Sequence, residues 1–260
     1  MNKGKMLAVI VVSAVFLAFA AGSGSDNSTR DSVTIDSDGN TTSNNTNKNS
    51  ADNNGIKYEI THTGFEYGKS SIGTMRYFGY VEIKNTGTTD IYLDDCNFDL
   101  EDKDGHLLQT DNLVSKCPDV IAPGETGYFY NSLGFGSIDD SVSLDNGIRL
   151  TPQMKLSQAK KKQAFYPVSD VSVRKGTFDS ITVTGRIENN TDKDVSYIDV
   201  DIIFYDKSGK VLSIIGTSVS DVGAGLKASF EATSLLSMDN LKLEDIANTK
   251  VIASGSYYQF

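Results

Sequence analysis

Residues 98–105 read FDLEDKDG, and residues 202–209 read IIFYDKSG. Sliding the chain against itself by 104 positions extends that likeness without a gap from 81–108 onto 185–212. Eight of the 28 aligned positions are identical, among them Asn85/Asn189, Asp102/Asp206, Lys103/Lys207 and Gly105/Gly209. Average composition predicts roughly two. Further on, IAPGETGYF at 121–129 returns as VGAGLKASF at 222–230 once three residues are dropped. The unit is a domain written twice, too long for a solenoid repeat.

Within each copy the period is two. Ile181, Val183, Gly185 and Ile187 alternate with Thr182, Thr184, Arg186 and Glu188. Ile198, Val200, Ile202 and Phe204 alternate with Asp199, Asp201, Ile203 and Tyr205. One apolar face and one mostly polar face are what a strand shows when its sheet covers a core on one side. Asn-Thr-Gly at 85–87 and Asn-Asn-Thr at 189–191 supply a first turn, and the Asp-Lys-x-Gly segments a second, whose glycine can take the positive φ a short hairpin needs. The expected fold is all-β: two tandem antiparallel β-sandwiches. The first is expected over 56–152 and the second over 169–260, with a connector at 153–168.

In the second copy, Ile202-Ile203-Phe204-Tyr205-Asp206 resembles the Phe-x-Leu-Tyr-Asp signature of the bacterial FxLYD domain family. The first copy has the other half, Phe98-Asp99-Leu100-Glu101-Asp102, with Glu101 where the tyrosine should be. The resemblance covers most of 170–255 and, more loosely, 57–150. It implies an immunoglobulin-like extracytoplasmic module of envelope lipoproteins and secreted proteins, and it brings no activity and no site residues.

The N-terminus points the same way. Lys3 and Lys5 precede an apolar run from Met6 to Phe19, and Ala18-Phe19-Ala20 offers a small-x-small cleavage site. A signal peptide over 1–20 is expected, with retention as a membrane anchor the alternative. Ala20-Ala21-Gly22-Ser23 resembles a lipoprotein box, but Ser23 lacks the thiol that carries the lipid. Residues 21–55 are rich in Asn, Ser, Thr and Asp and hold little to bury. Ordering them would cost about 1–2 kcal/mol per residue of backbone entropy, so a disordered tether is expected. Its Asn27-Ser28-Thr29 and Asn40-Thr41-Thr42 triplets arise readily in so biased a tract.

A net charge of −10 disfavours nucleic acid, whose binding rests on neutralising phosphates. Cys96 and Cys117, the two cysteines, can form a disulfide across about 20 residues after export or remain a buried thiol and an unrelated one. The acids Asp94, Asp95, Asp99, Glu101, Asp102 and Asp104 invite a calcium reading. With Gly105 as position six of an EF-hand loop, position one falls on Leu100 and position twelve on Asp111, so the frame fails. Solvated hairpin acids are the expectation, and no metal or cofactor is. His62 and His106 are the only histidines, and neither a nucleophile elbow nor a phosphate loop occurs; no catalytic residue is expected. Lys160–Lys162 is the one basic run and falls in the connector, as a solvated segment or a contact for an anionic wall polymer. There are 24 Phe and Tyr without one Trp, which counts against a lectin. The function expected is a non-catalytic secreted or cell-envelope interaction module whose partner is an extracellular protein or wall polymer. A secreted hydrolase or its carbohydrate-targeting accessory is the alternative.

Overall fold

Each copy of the repeated phrase ends in the turn its sequence predicts. Gly105 and Gly209 have φ of 87° and 85°, the left-handed region that favours glycine. Asp102 Oδ1 accepts from the backbone N–H of Asp104 (2.8 Å) and His106 (2.9 Å). Asp206 Oδ1 accepts likewise from Ser208 (2.7 Å) and Lys210 (2.9 Å). The shared aspartate closes the loop that the shared glycine bends.

The computed structural model describes residues 18–20, 31–35, 41–43, 56–70, 73–133, 135–142, 147–177, 180–234 and 241–258. These are all-β apart from short 3₁₀ turns, one of them at Leu243–Asp245. The first sandwich comprises β1 (Ala18–Ala20), β2 (Asp31–Ile35), β3 (Thr41–Ser43), β4 (Lys57–Lys69), β5 (Met75–Asn85), β6 (Ile91–Asp102), β7 (Leu107–Asp111), β8 (Val114–Cys117), β9 (Val120–Ile121), β10 (Thr126–Asn131), β11 (Gly136–Ser137) and β12 (Ile148–Gln158). One sheet runs β1-β4-β5-β10-β8 with β11 on β5; the other runs β3-β2-β12-β6-β7 with β9 on β6. The second comprises β13 (Lys161–Phe165), β14 (Val168–Lys175), β15 (Ile181–Glu188), β16 (Val195–Tyr205), β17 (Val211–Val222), β18 (Lys227–Thr233) and β19 (Asn248–Tyr258). Its sheets are β13-β19-β16-β17 and β14-β15-β18.

Most of the segment expected to be a leader lies outside the described residues, as do Ser23 and Asn27; Ala18–Ala20 pairs with β4. Of the tether, β2 and β3 are described, and β2 pairs with β12. The connector at 153–168 is mostly strand. β12 runs through it to Gln158, and β13 joins the second sandwich by pairing Lys161–Phe165 with Tyr258–Ser254. Lys162 Nζ lies 3.1 Å from Asp90 Oδ2, and Lys161 Nζ lies 5.2 Å from the centre of the Tyr92 ring. The basic run thus spans the domain junction.

Inside each sandwich the alternation holds. Leu93, Phe98, Leu100, Val81, Ile83 and Leu150 fill the first core, and Val183, Ile187, Ile198, Val200, Ile202 and Phe204 the second. A third core lies between the sandwiches. Phe78, Tyr80, Tyr128 and Tyr130, on the outer face of the β4-β5-β10-β8 sheet, pack with Ile203, Val211, Ile214 and Ile252 of the β19-β16-β17 sheet. Burying each ring contributes roughly 1.5–3 kcal/mol, and an apolar seam of this kind holds two domains as one body. The 104-residue offset equates β5 with β15 and β6 with β16, so the two seam faces are not equivalent sheets. In the second copy Phe78 and Tyr80 become Thr182 and Thr184. In the first copy Ile203 and Tyr205 are Asp99 and Glu101, which stay on the outer surface with Thr110 and Arg149.

Candidate functional site

The seam is apolar along its middle and opens at one edge into a cleft of about 470 Å³. Its first-sandwich wall comes from β6 (Asp94, Asp95), the edge strand β8 (Ser115, Lys116) and the turn residue Asp119; its second-sandwich wall comes from Tyr197, Asp199 and Asp201 of β16 and Gly216–Ser218 of β17. Alternation places Tyr197, Asp199 and Asp201 on one face of β16, the face turned toward the first sandwich.

Asp201 forms the floor. It is 5% exposed, and its Oδ1 accepts a hydrogen bond from the Tyr130 hydroxyl. Burial pushes its carboxyl up to about 6, against the opposing pull of the Cys117 thiol and the Tyr130 hydroxyl, both of which donate to the ionised form. Burial, reinforced by Asp201, raises the Cys117 thiol and the Tyr130 phenol well above their ordinary ranges. Asp199, nearer the mouth, is also raised, by partial burial and then by Asp119.

One cation lines the cleft among the described residues, and its donors are committed. Lys116 Nζ donates to the Leu93 (2.5 Å) and Asp94 (3.1 Å) carbonyls and to Tyr92 Oη (3.1 Å), and it lies 3.7 Å from Asp119. Asp94 Oδ2 is buried without a hydrogen-bond partner. Five aspartates against one lysine make the cleft strongly anionic, and the Tyr197 ring, 55% exposed, stands at its mouth.

The sequence-predicted residues fall elsewhere or in other roles. Cys96 and Cys117 are both buried thiols, and the disulfide offered by their spacing is not formed. β6 turns Cys96 into the first core, while β8, in the opposite sheet, turns Cys117 outward into the seam. The acidic run divides: Asp94 and Asp95 line the cleft, while Asp99 accepts from Thr110 Oγ1 at 2.6 Å. Asp102, Asp104 and His106 lie together on the hairpin. There the N–H groups and ring of His106 lower the Asp102 carboxyl to about 2, and Asp102 raises the imidazole in return. His62 is apart from that group, paired with Glu82 at 2.9 Å.

Asp199 and Asp201 were legible only as outward positions on a strand, and Tyr130 was not singled out. The signal was present: Phe78, Tyr80, Ile203 and Tyr205 occupy places that a solvated sheet would fill with polar residues.

Among the described residues no helix is long and apolar enough to cross a membrane. No protein-family model matches the chain, and no curated protein matches it. Among solved structures, the N-terminal CBM22-1-CBM22-2 tandem domain of Paenibacillus barcinonensis Xyn10C aligns with 80% of this chain and 85% of that one, at 9% identity and a TM-score of 0.15.

Proposed function

We propose that the protein is a non-catalytic, exported interaction module that holds amine-bearing ligands in the acidic cleft between its sandwiches. The observation that carries this is the lining of the cleft: five aspartates facing a single lysine whose donors are used by carbonyls and a tyrosine. Ammonium groups match that field, and an exposed tyrosine beside carboxylates adds a face for a cation. Export is supported by the basic, apolar and small-residue succession at the N-terminus, and kinship with FxLYD domains by the repeated phrase and its turn. The amines can come from lysines of an extracellular protein or from amino sugars of a wall polymer.

Calorimetry at low salt with an oligolysine and with a glucosamine oligomer separates those sources. Binding of either that Asp199→Asn and Tyr197→Ala weaken tenfold or more, while Asp104→Asn on the distant hairpin leaves it unchanged, is the expected result. Binding insensitive to Asp199 and Tyr197, or absent for both probes, sinks the reading.

A further inference from the structure

Asp201 differs from the other cleft acids in being part of the seam itself. Its own strand β16 adds Asp199. β10 faces it with Tyr130, β8 with Cys117, and the following turn with Asp119. β6 presents Asp94 and Asp95 across the cleft, and β17 passes with Gly216, where an added Cβ would sit 3.6 Å from Oδ1. β19 pairs Ile252 with it, and Lys250 of the same strand acts on Cys117. β5 contributes Glu82, beside the Tyr128–Tyr205 hydroxyl pair (3.3 Å). Lys116 is turned to the Leu93 and Asp94 carbonyls. The groups that hydrogen-bond Asp201 are thus a neutral hydroxyl and a neutral thiol, and the charges that act on it most are those of other acids, Asp199 and Asp119.

A carboxylate enclosed by neutral donors and like charges is costly when ionised and inexpensive when protonated. Separating the sandwiches would return it to water, where ionisation is easy. Closure of the seam and protonation of Asp201 therefore favour each other.

We propose that the seam is a proton-controlled latch: protonated Asp201 holds the two sandwiches shut, and its ionisation loosens them at the cleft. The burial-raised carboxyl places the change between about pH 4, near its ordinary value, and about pH 6, with the last of it complete just above. Ionisation also adds a negative charge to the floor, so an open, fully anionic cleft belongs to neutral pH; this consequence rests on the amine-binding reading above, whereas the latch does not.

The test is protection of the Cys117 thiol, which is fully buried in the seam. Its reaction with a dithiodipyridine in the full chain is followed at pH 5, 6 and 7 by peptide mass mapping, which separates it from Cys96. Each rate is divided by that of the urea-unfolded chain at the same pH, which removes the thiol's own titration. Protection of Cys117 is expected to fall about tenfold from pH 5 to pH 7, the linkage of a carboxyl moved from its ordinary value to about 6. Asp201→Asn is expected to keep protection at its acid level across the range. Tyr130→Phe, which removes a donor to the carboxylate, is expected to move the fall to higher pH. A flat profile for the natural chain overturns the latch even if Asp201→Asn fails to fold, and so does a slope that Asp201→Asn retains or a midpoint that Tyr130→Phe leaves unmoved. No ligand is present in the assay, so a failed latch leaves amine binding standing and failed amine binding leaves the latch standing.

Discussion

Asn85 and Asn189 make the same set of hydrogen bonds, 104 residues apart. Asn85 Nδ2 donates to the carbonyls of Thr89 (2.8 Å) and Ile121 (2.9 Å), and Asn189 Nδ2 to those of Lys193 and Val222 (both 2.8 Å). Each Oδ1 accepts from the backbone two residues on, Gly87 and Thr191. Each backbone amide and carbonyl binds the later glycine turn, at Glu125 and Gly124 or at Leu226 and Gly225. Both side chains are fully buried. One asparagine per sandwich ties two turns together; leucine or alanine in its place would take a donor from two carbonyls, although at Asn189 the Lys193 carbonyl keeps a hydrogen bond from Thr191 Oγ1 (2.9 Å).

Asn85→Ala and Asn189→Ala should therefore each destabilise by about 2–4 kcal/mol, the cost of orphaning buried acceptors. Urea unfolding of the two variants measures it; losses below about 1 kcal/mol would show that water replaces the amide.

Across the seam, Lys210 and Glu66 form an ion pair whose side chains are 7% and 15% exposed. Removing one partner leaves the other charged and enclosed. Glu66→Ala or Lys210→Ala should cost about 3 kcal/mol, and the double variant much less than the sum. A thermal double-mutant cycle with additive losses would contradict the pairing.

The chain should unfold without reductant to give two promptly titratable thiols, and react far more slowly while native, since both cysteines are buried thiols. Dithiodipyridine absorbance with and without urea decides it. Fewer than two thiols in urea would mean that Cys96 and Cys117 pair after all.

Asp201 also carries a stability prediction. Its folded value, about 6, lies above the ordinary 3.8, so ionisation costs the folded state stability. That cost is absent below about pH 4, grows between the two values and is complete above about pH 6. The difference of 2.2 units (6 − 3.8) corresponds to about 3 kcal/mol. Asp201→Asn should stabilise the protein by up to that amount at pH 7 and by nearly nothing at pH 4, as read from melting temperature against pH. An asparagine variant equally destabilised at both values would mean that the amide spoils the packing.

The sandwiches were legible because period-two alternation is local: Ile198, Val200, Ile202 and Phe204 announce a core face regardless of what lies beyond it. Asp102 and Gly105 were legible for the same reason, since a turn closes over four residues. The seam was not, because an outward face is named by what it meets. Ile203 and Tyr205 stood out as lost acidity in the second copy, yet their partners, Phe78, Tyr80, Tyr128 and Tyr130, lie more than 70 residues away and read as further core. The choice between a Cys96–Cys117 disulfide and two unrelated thiols stayed open for the same reason: spacing carries no information about which side of a sheet each thiol faces.

The third core joins unlike faces of two like domains, and contact of that kind does not close on itself. Each sandwich retains a face equivalent to the one its neighbour has used, so a third domain could stack on the second as the second stacks on the first, and so without end. What stops the series is side-chain chemistry. Where the first copy offers Phe78, Tyr80, Tyr128 and Tyr130, the second offers Thr182, Thr184, Ser229 and Glu231; where the second offers Ile203 and Tyr205, the first offers Asp99 and Glu101. The divergence between the copies is thus a pair of caps, and only removing both, with the aromatic set restored to β15 and β18 and Ile and Tyr placed at positions 99 and 101, would let the paired sandwiches stack end to end as a fibre.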